Sequence, residues 1–218
     1  MARMSAPAPD GLRPPTLVLA VALALVAALV RLRPLRSLDL WWHLSMGKAV
    51  LAGKGRVVED PTSFTPDQPY ADPEWLFDVL ALGVWEAAGV PGVILATALL
   101  AGVSALLTWW LARRVGLGAW TAVVVAALAV GGASWRFDPR PQSVFLVLLP
   151  LVMLLAVSAR RSGGRTRWGY LVGLVVACGV WSQCHSSMVI APVVVVPLAL
   201  HRWQDSDRFT PAQIGLLG

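Results

Sequence analysis

The sequence predicts an all-α protein, a polytopic transmembrane helical bundle of about six spans whose long first outer loop carries juxtamembrane helices. Three observations predict it. Of 218 residues, 57% are hydrophobic and only 14% are charged, where a soluble domain carries about 25% charged residues. The apolar residues come as long runs of Leu, Val and Ala, without the alternation of a half-buried strand or the polar stripe of an amphipathic helix. Short arginine clusters stand beside these runs. With no water in hydrocarbon, each run must satisfy its own backbone hydrogen bonds, which a helix does within one segment.

The net charge of +6 is laid out as topology signals rather than along one basic face, so the sequence predicts no nucleic-acid partner. Cys178 and Cys184 share an apolar stretch and match neither a CxxC pair nor an evident disulfide, so they count as small apolar helix residues. No Walker loop, GxGxxG fingerprint or HExxH helix occurs.

The first span runs from Thr16 to Val30. Arg3 and Arg13 precede it as in a signal peptide, but Arg31, Arg33 and Arg36 follow where a cleavage site would need small residues, so the span stays uncleaved behind a cytoplasmic tail over 1–15. From Ser37 to Pro73 the chain is rich in acids, prolines and turn residues. One amphipathic interfacial helix is expected there, Leu40 to Leu51, with Trp41, Leu44 and Ala49 against a surface. Asp60, Ser63 and Thr65 around Pro61 read as turn chemistry.

Glu74 to Ala88 has a helical pattern, but it is short for a span and carries Asp78 and Glu86, so it is a second juxtamembrane helix that completes an outer loop over 37–88. The transmembrane part, 90–200, then holds spans at Val90 to Leu111, Leu117 to Ser134, Gln142 to Ser158, Trp168 to Gln183 and Met188 to Leu200. An apolar helix beginning at Thr210 and Pro211 fits an N-terminal portion of a longer protein.

Arg113 and Arg114, then Arg160, Arg161, Arg165 and Arg167, then Arg202 and Arg208 fall on one side of this topology, which the positive-inside rule makes cytoplasmic. The first-span cluster at Arg31, Arg33 and Arg36 opposes that orientation and is outvoted. Trp41, Trp75, Trp109, Trp110, Trp120, Trp135, Trp168 and Trp203 lie near span ends, at headgroup depth.

The outer face then receives Asp39, His43, Asp60, Asp72 and Glu74 from the long loop, Arg136, Asp138 and Arg140 from the next turn, and Gln183 and His185 from the last. Acid, base and anion clamp must converge within hydrogen-bond reach to do chemistry, and this segregation provides the types needed.

The stretch LDLWWHLSMGKAVLAGKGRVVEDPTSFTPDQPYADPEWL resembles the first outer loop of bacterial polytopic glycosyltransferases of the GT-C superfamily. DPRPQSVF resembles the Arg-Pro-Gln motif that opens a later span, and WSQCHSS resembles a Trp-x-Asn-x-His-Gly segment, with Gln183 for the Asn and Ser186 for the Gly. The resemblance spans Leu38 to Ser187.

It implies an integral, multi-pass protein of the bacterial inner membrane that moves a hexosyl or pentosyl group from a polyprenyl-phosphate donor to an acceptor at the non-cytoplasmic face. Asp39 then matches the family's general base. Glu74, or Asp72 beside it, is a second carboxylate that orients the acceptor or binds a divalent metal ion, or else Glu74 only caps the following helix. Arg140 holds the leaving phosphate. His43, Gln142 and His185 contact substrate. The alternative is a non-enzymatic membrane protein, a transporter or assembly subunit on a similar scaffold. The central spans hold almost no ionisable residue, which speaks against transport.

Single cysteines test the orientation in a background lacking Cys178 and Cys184. An impermeant thiol reagent applied to intact cells is expected to label Asp39→Cys, Glu74→Cys, Arg140→Cys and His185→Cys and to spare Arg114→Cys and Gly163→Cys; the inverse pattern overturns it.

Overall fold

The computed structural model describes residues 14–35, 37–54, 57–58 and 70–197. The tail arginines, Arg36, the turn at Asp60, Ser63 and Thr65, Trp203, Arg202, Arg208 and the helix start at Thr210 lie outside the described residues. The fold is all-helical: α1 (Pro14–Val30), α2 (Asp39–Ala49), α3 (Trp75–Arg114), α4 (Ala119–Gly132), α5 (Pro141–Arg161) and α6 (Gly164–Cys184), then a helical stretch Ser186–Pro197. Among the described residues, strand pairing is limited to β1 (Val57–Val58) antiparallel to β2 (Tyr70–Ala71), which brackets the loop between α2 and α3.

Two helices, α3 and α5, are long and apolar enough to cross a membrane, while α1, α4 and Ser186–Pro197 are shorter apolar helices. Their contacts build an up-and-down bundle. Ala20 of α1 packs with Trp109 and Ala112 of α3, and Ala27 packs near Ala101, so the two run antiparallel. Ala122 and Ala126 of α4 join the first of these clusters. Leu148 and Val152 of α5 meet Ala177 and Trp181 of α6, again antiparallel. Many buried contacts are alanines, whose small side chains let the helix backbones approach closely. Ser104 Oγ adds a 2.8 Å hydrogen bond to the Leu146 carbonyl between α3 and α5.

This packing sorts the connections into two ends. One end collects 113–118 and 161–164 with Arg113, Arg114, Arg160, Arg161, Arg165 and Arg167, and no acid. The other, the site end, collects 31–39, the turn at 133–141 and residues 184–189. Arg31 pins the exit of α1 there, donating to the Phe137 carbonyl and lying 3.6 Å from Asp138.

Helix α3 is bent, at the boundary where the sequence divides a juxtamembrane helix from a span. Gly89 takes φ 56, ψ −148, a backbone region open to glycine alone, and Pro91 starts the second arm, where its missing N–H costs little. At about 1.5 Å per residue the arm after Gly89 reaches about 37 Å and the arm before it about 21 Å, against about 30 Å of hydrocarbon. The short arm lies against the long one through Leu82 and Val93, in a cluster that also contains Leu40 and Leu44 of α2.

Of the face expected for helix α2, Leu44 is buried, but Trp41 is not. The helix buries Leu40, His43, Leu44, Met46 and Gly47, whereas Trp41 is 55% exposed and rests edge-on against Trp85. The cause is Gly47, where a Cβ would stand 2.5 Å from the Asp78 carbonyl oxygen. With no side chain in the way, α2 seats directly on the short arm of α3, and that contact decides which residues turn inward.

Gly89→Ala forces an L side chain into the strained region. It is expected to destabilise the fold by about 1–3 kcal/mol, read as a lowered thermal midpoint in detergent; an unchanged midpoint removes the requirement for glycine at the bend.

Candidate functional site

Asp39 opens α2, and one turn later His43 stands on the same helix face. Arg140 precedes Pro141, which keeps its backbone extended (φ −136, ψ 155) at the start of α5. The two elements are brought together at the site end of the bundle: Arg140 Nε lies 3.1 Å from Asp39 Oδ2 and donates to Ser37 Oγ at 3.0 Å. Both side chains are about half exposed, so this ion pair is accessible to a ligand and weak in itself.

Behind it lies a buried polar group. His43 Nδ1 is 2.6 Å from Asp78 Oδ1, with Asp78 fully buried and His43 4% exposed. The ring of Phe77 meets the His43 ring edge-on at 5.0 Å and limits its rotation. Asp72, 2% exposed, accepts the Glu74 backbone N–H on Oδ1 at 2.8 Å and is also a hydrogen-bonding neighbour of Asp78. The remaining oxygens, Asp72 Oδ2 and Asp78 Oδ2, are sealed from solvent without a hydrogen-bond partner. Two acceptors can bond only through a proton between them. Accordingly, burial pushes the Asp78 carboxyl up to about 9, with the Asp72 carboxylate adding in the same direction. Asp78 lies before the Gly89 bend, outside the long arm of α3.

The third part is Glu74 with His185. Glu74 Oε1 lies 3.7 Å from His185 Nε2. Burial pushes the Glu74 carboxyl up to about 7, opposed by His43 and reinforced by Asp78 and Asp72. A carboxyl near neutrality is suited to exchanging protons at working pH. Glu74 stands at the start of α3 but its side chain makes no cap hydrogen bond, so the capping alternative does not hold. His185 Nδ1 accepts the Ser187 N–H at 2.9 Å, capping the 3₁₀ turn Ser186–Val189. Burial lowers the pKa of both histidines, for His43 against the attraction of Glu74, Asp39 and Asp72 and with the repulsion of Arg140. Gln183, in the position of the motif's Asn, accepts Trp75 Nε1–H at 2.8 Å and ties the end of α6 to the start of α3.

Gln142 is set apart from this cluster. It lines a separate pocket of about 510 Å³ together with Arg136, His185 and Ser187, and its Oε1 is buried without a partner among the described residues. His185 is the link between that pocket and Glu74. Arg136 stacks on Trp135 at 3.9 Å.

An apolar cavity of about 380 Å³ abuts the site, lined by both arms of α3 and by Leu40, Phe77, Pro139 and Ser143. These four are the chain or packing neighbours of Asp39, His43 and Arg140. Charge and grease therefore meet at one boundary.

No protein-family model, curated protein or solved structure matches this chain. The site rests on its own geometry. Among the described residues no group of three or more His, Cys, Asp or Glu side chains is arranged to hold a metal ion.

Six of the seven sequence-derived positions, Asp39, His43, Asp72, Glu74, Arg140 and His185, converge. The residue that sequence reasoning missed is Asp78. It stands immediately before the acid-free run at 79–85 and served, with Glu86, only to argue against a span, whereas on the face of α3 turned toward α2 its carboxyl is buried against His43.

The carboxyls set an expected pH dependence of stability. Glu74 and Asp78 are raised in the fold, so their contribution is present below their unfolded values and lost as pH rises through about 7 and about 9. His43 and His185 are lowered, so they act oppositely, but only below about 6.5. Between pH 6.5 and 9 the thermal midpoint should therefore fall by several degrees. Asp78→Asn flattens most of that fall and Glu74→Gln only its portion up to about pH 7; a wild-type midpoint constant over this range contradicts the buried carboxyls.

Proposed function

We propose that the chain is a membrane glycosyltransferase of the GT-C kind, moving a sugar from a polyprenyl-phosphate donor to an acceptor at the non-cytoplasmic face. The observation that carries the reading is the meeting of Asp39 with Arg140 at 3.1 Å beside an apolar cavity. A lipid-linked donor needs that combination, because its tail belongs in an apolar space while its phosphate needs a cation and the attacking hydroxyl needs a base.

In this reading α1, the long arm of α3, α4, α5, α6 and Ser186–Pro197 traverse the bilayer, giving about six spans with the short arm of α3 and α2 on the outer surface. The acid-free arginine end is then cytoplasmic. Apolar side chains such as Leu25 and Leu29 of α1, Leu128 of α4 and Val175 of α6 are more than half exposed and would face lipid.

The donor's isoprenoid tail enters the cavity along Leu80, Val84 and Ala96. Its phosphate takes the Arg140 guanidinium, which frees Asp39 from its ion pair. The acceptor hydroxyl attacks the anomeric carbon from the opposite face as Asp39 removes its proton. The bond from that carbon to the phosphate oxygen breaks, and polyprenyl phosphate departs with the electron pair, its charge held by Arg140. The anomeric centre inverts. Glu74 and His185 flank the acceptor side.

The test uses the full chain in nanodiscs with a panel of polyprenyl-phosphate hexoses and pentoses and native membrane lipids as acceptors, reading polyprenyl phosphate released. Asp39→Asn is expected to reduce release by about 10²-fold or more without loss of folded protein. Arg140→Lys keeps the charge but not the fork, and should raise KM for the donor more than it lowers kcat. Undiminished release by Asp39→Asn rules out Asp39 as base; no release by the wild type from any donor favours the non-enzymatic scaffold.

A further inference from the structure

We propose that Asp78, backed by Asp72, is a positioning residue that holds the His43 proton on Nδ1, so that Nε2 presents a lone pair to the site as the acceptor of a substrate hydroxyl hydrogen bond. The substrate part rests on the transferase reading. The tautomer does not.

The 2.6 Å contact of His43 Nδ1 with Asp78 Oδ1 carries the assignment. Asp72 Oδ1 is taken by the Glu74 N–H, and Asp72 Oδ2 and Asp78 Oδ2 are both buried without a partner. A proton held on Asp78 Oδ2 leaves Oδ1 as the acceptor toward His43. His43 Nδ1 must then donate, and a neutral imidazole with its hydrogen on Nδ1 has a bare Nε2. The charged groups around the ring come from every element packed there: Asp39 on α2, Asp72 before α3, Glu74 at its start and Arg140 at the start of α5.

Geometry keeps the ring in this state. Gly47 sets the separation of α2 from the Asp78 backbone, and Phe77 packs edge-on against the imidazole. In water a neutral histidine favours the opposite tautomer, so the state expected here must be imposed by its partner. His185 supplies an internal contrast: its Nδ1 accepts from Ser187 N–H, which places its proton on Nε2. The two histidines of one site are therefore expected to be opposite tautomers. One offers a lone pair and the other an N–H, a pairing that suits a hydroxyl-rich ligand, since a hydroxyl both donates and accepts.

The arrangement parallels the way a buried acid orients a catalytic imidazole. Here the orienting acid is itself neutral, so an amide can replace it. Asp78→Asn keeps a carbonyl oxygen for His43 and an N–H for Asp72, whereas Asp78→Leu keeps only the volume.

The experiment is proton–nitrogen correlation spectroscopy of the full chain in nanodiscs at pH 7, with histidine labelled by ¹⁵N and His43→Gln and His185→Gln assigning the signals. The expected wild-type pattern is Nδ1–H for His43 and Nε2–H for His185. Asp78→Asn should retain the His43 pattern, and Asp78→Leu should lose it while the His185 pattern persists as a check of folding. Nε2–H on wild-type His43, loss of Nδ1–H in Asp78→Asn, or its retention in a folded Asp78→Leu overturns the proposal. If Asp78→Leu does not fold, the first two outcomes still decide. No sugar transfer is read, so failure of the transferase reading leaves these outcomes intact.

Discussion

A carboxyl group deprived of water is costly unless its oxygens find partners, and the site end of this protein gathers an imidazole and a second carboxyl about Asp78. The side chain is fully buried, between an imidazole from α2 and a second carboxyl from the segment before α3. Two pieces of chain, α2 and the segment running from Asp72 into α3, are thereby held in one arrangement. Without His43 and Asp72 the buried group would be unsatisfied, and α2 would have only its small apolar face to keep it on the bundle.

The rest of the site follows from this anchor. Once α2 is seated, its first residue, Asp39, overhangs the start of α5, where the restriction imposed by Pro141 extends the Arg140 backbone. Glu74 is carried to the end of α6 because the short arm of α3 begins there, and Trp75 fastens to Gln183. The apolar cavity is the space left between the two arms of the bent helix. Polar cluster and cavity are thus products of a single bend combined with a single buried hydrogen-bond network, rather than separate features.

Much of the helical layout was legible in the sequence because apolar runs report where backbone must satisfy itself. The expected limits at Leu117 and Ser134, or Gln142 and Ser158, fall within a few residues of α4 and α5. The convergence of Asp39 with Arg140 was also foreseeable, since alternation of the helices returns both to one end. Two things were not legible. The inward face of α2 depends on the contact at Gly47 with a backbone carbonyl thirty-odd positions later, and Trp41, judged by its own hydrophobicity, pointed to the wrong face. Asp78 looked like a mark of solvent because a carboxylate's burial is decided by its partners, and His43 and Asp72 reach it only after the chain has folded. Local pattern reports what a residue prefers; it does not report what a distant neighbour supplies.

The bare backbone at Gly47 has a mechanical consequence. Where two helices touch through main-chain atoms, their spacing does not relax by rotamer changes, and one moves only by dragging the other. Helix α2 and the short arm of α3 therefore form a rigid paddle, and the elbow at Gly89 is its natural pivot. Whatever fills the space beneath therefore bears on both helices together, because the main chain of one rests on the main chain of the other.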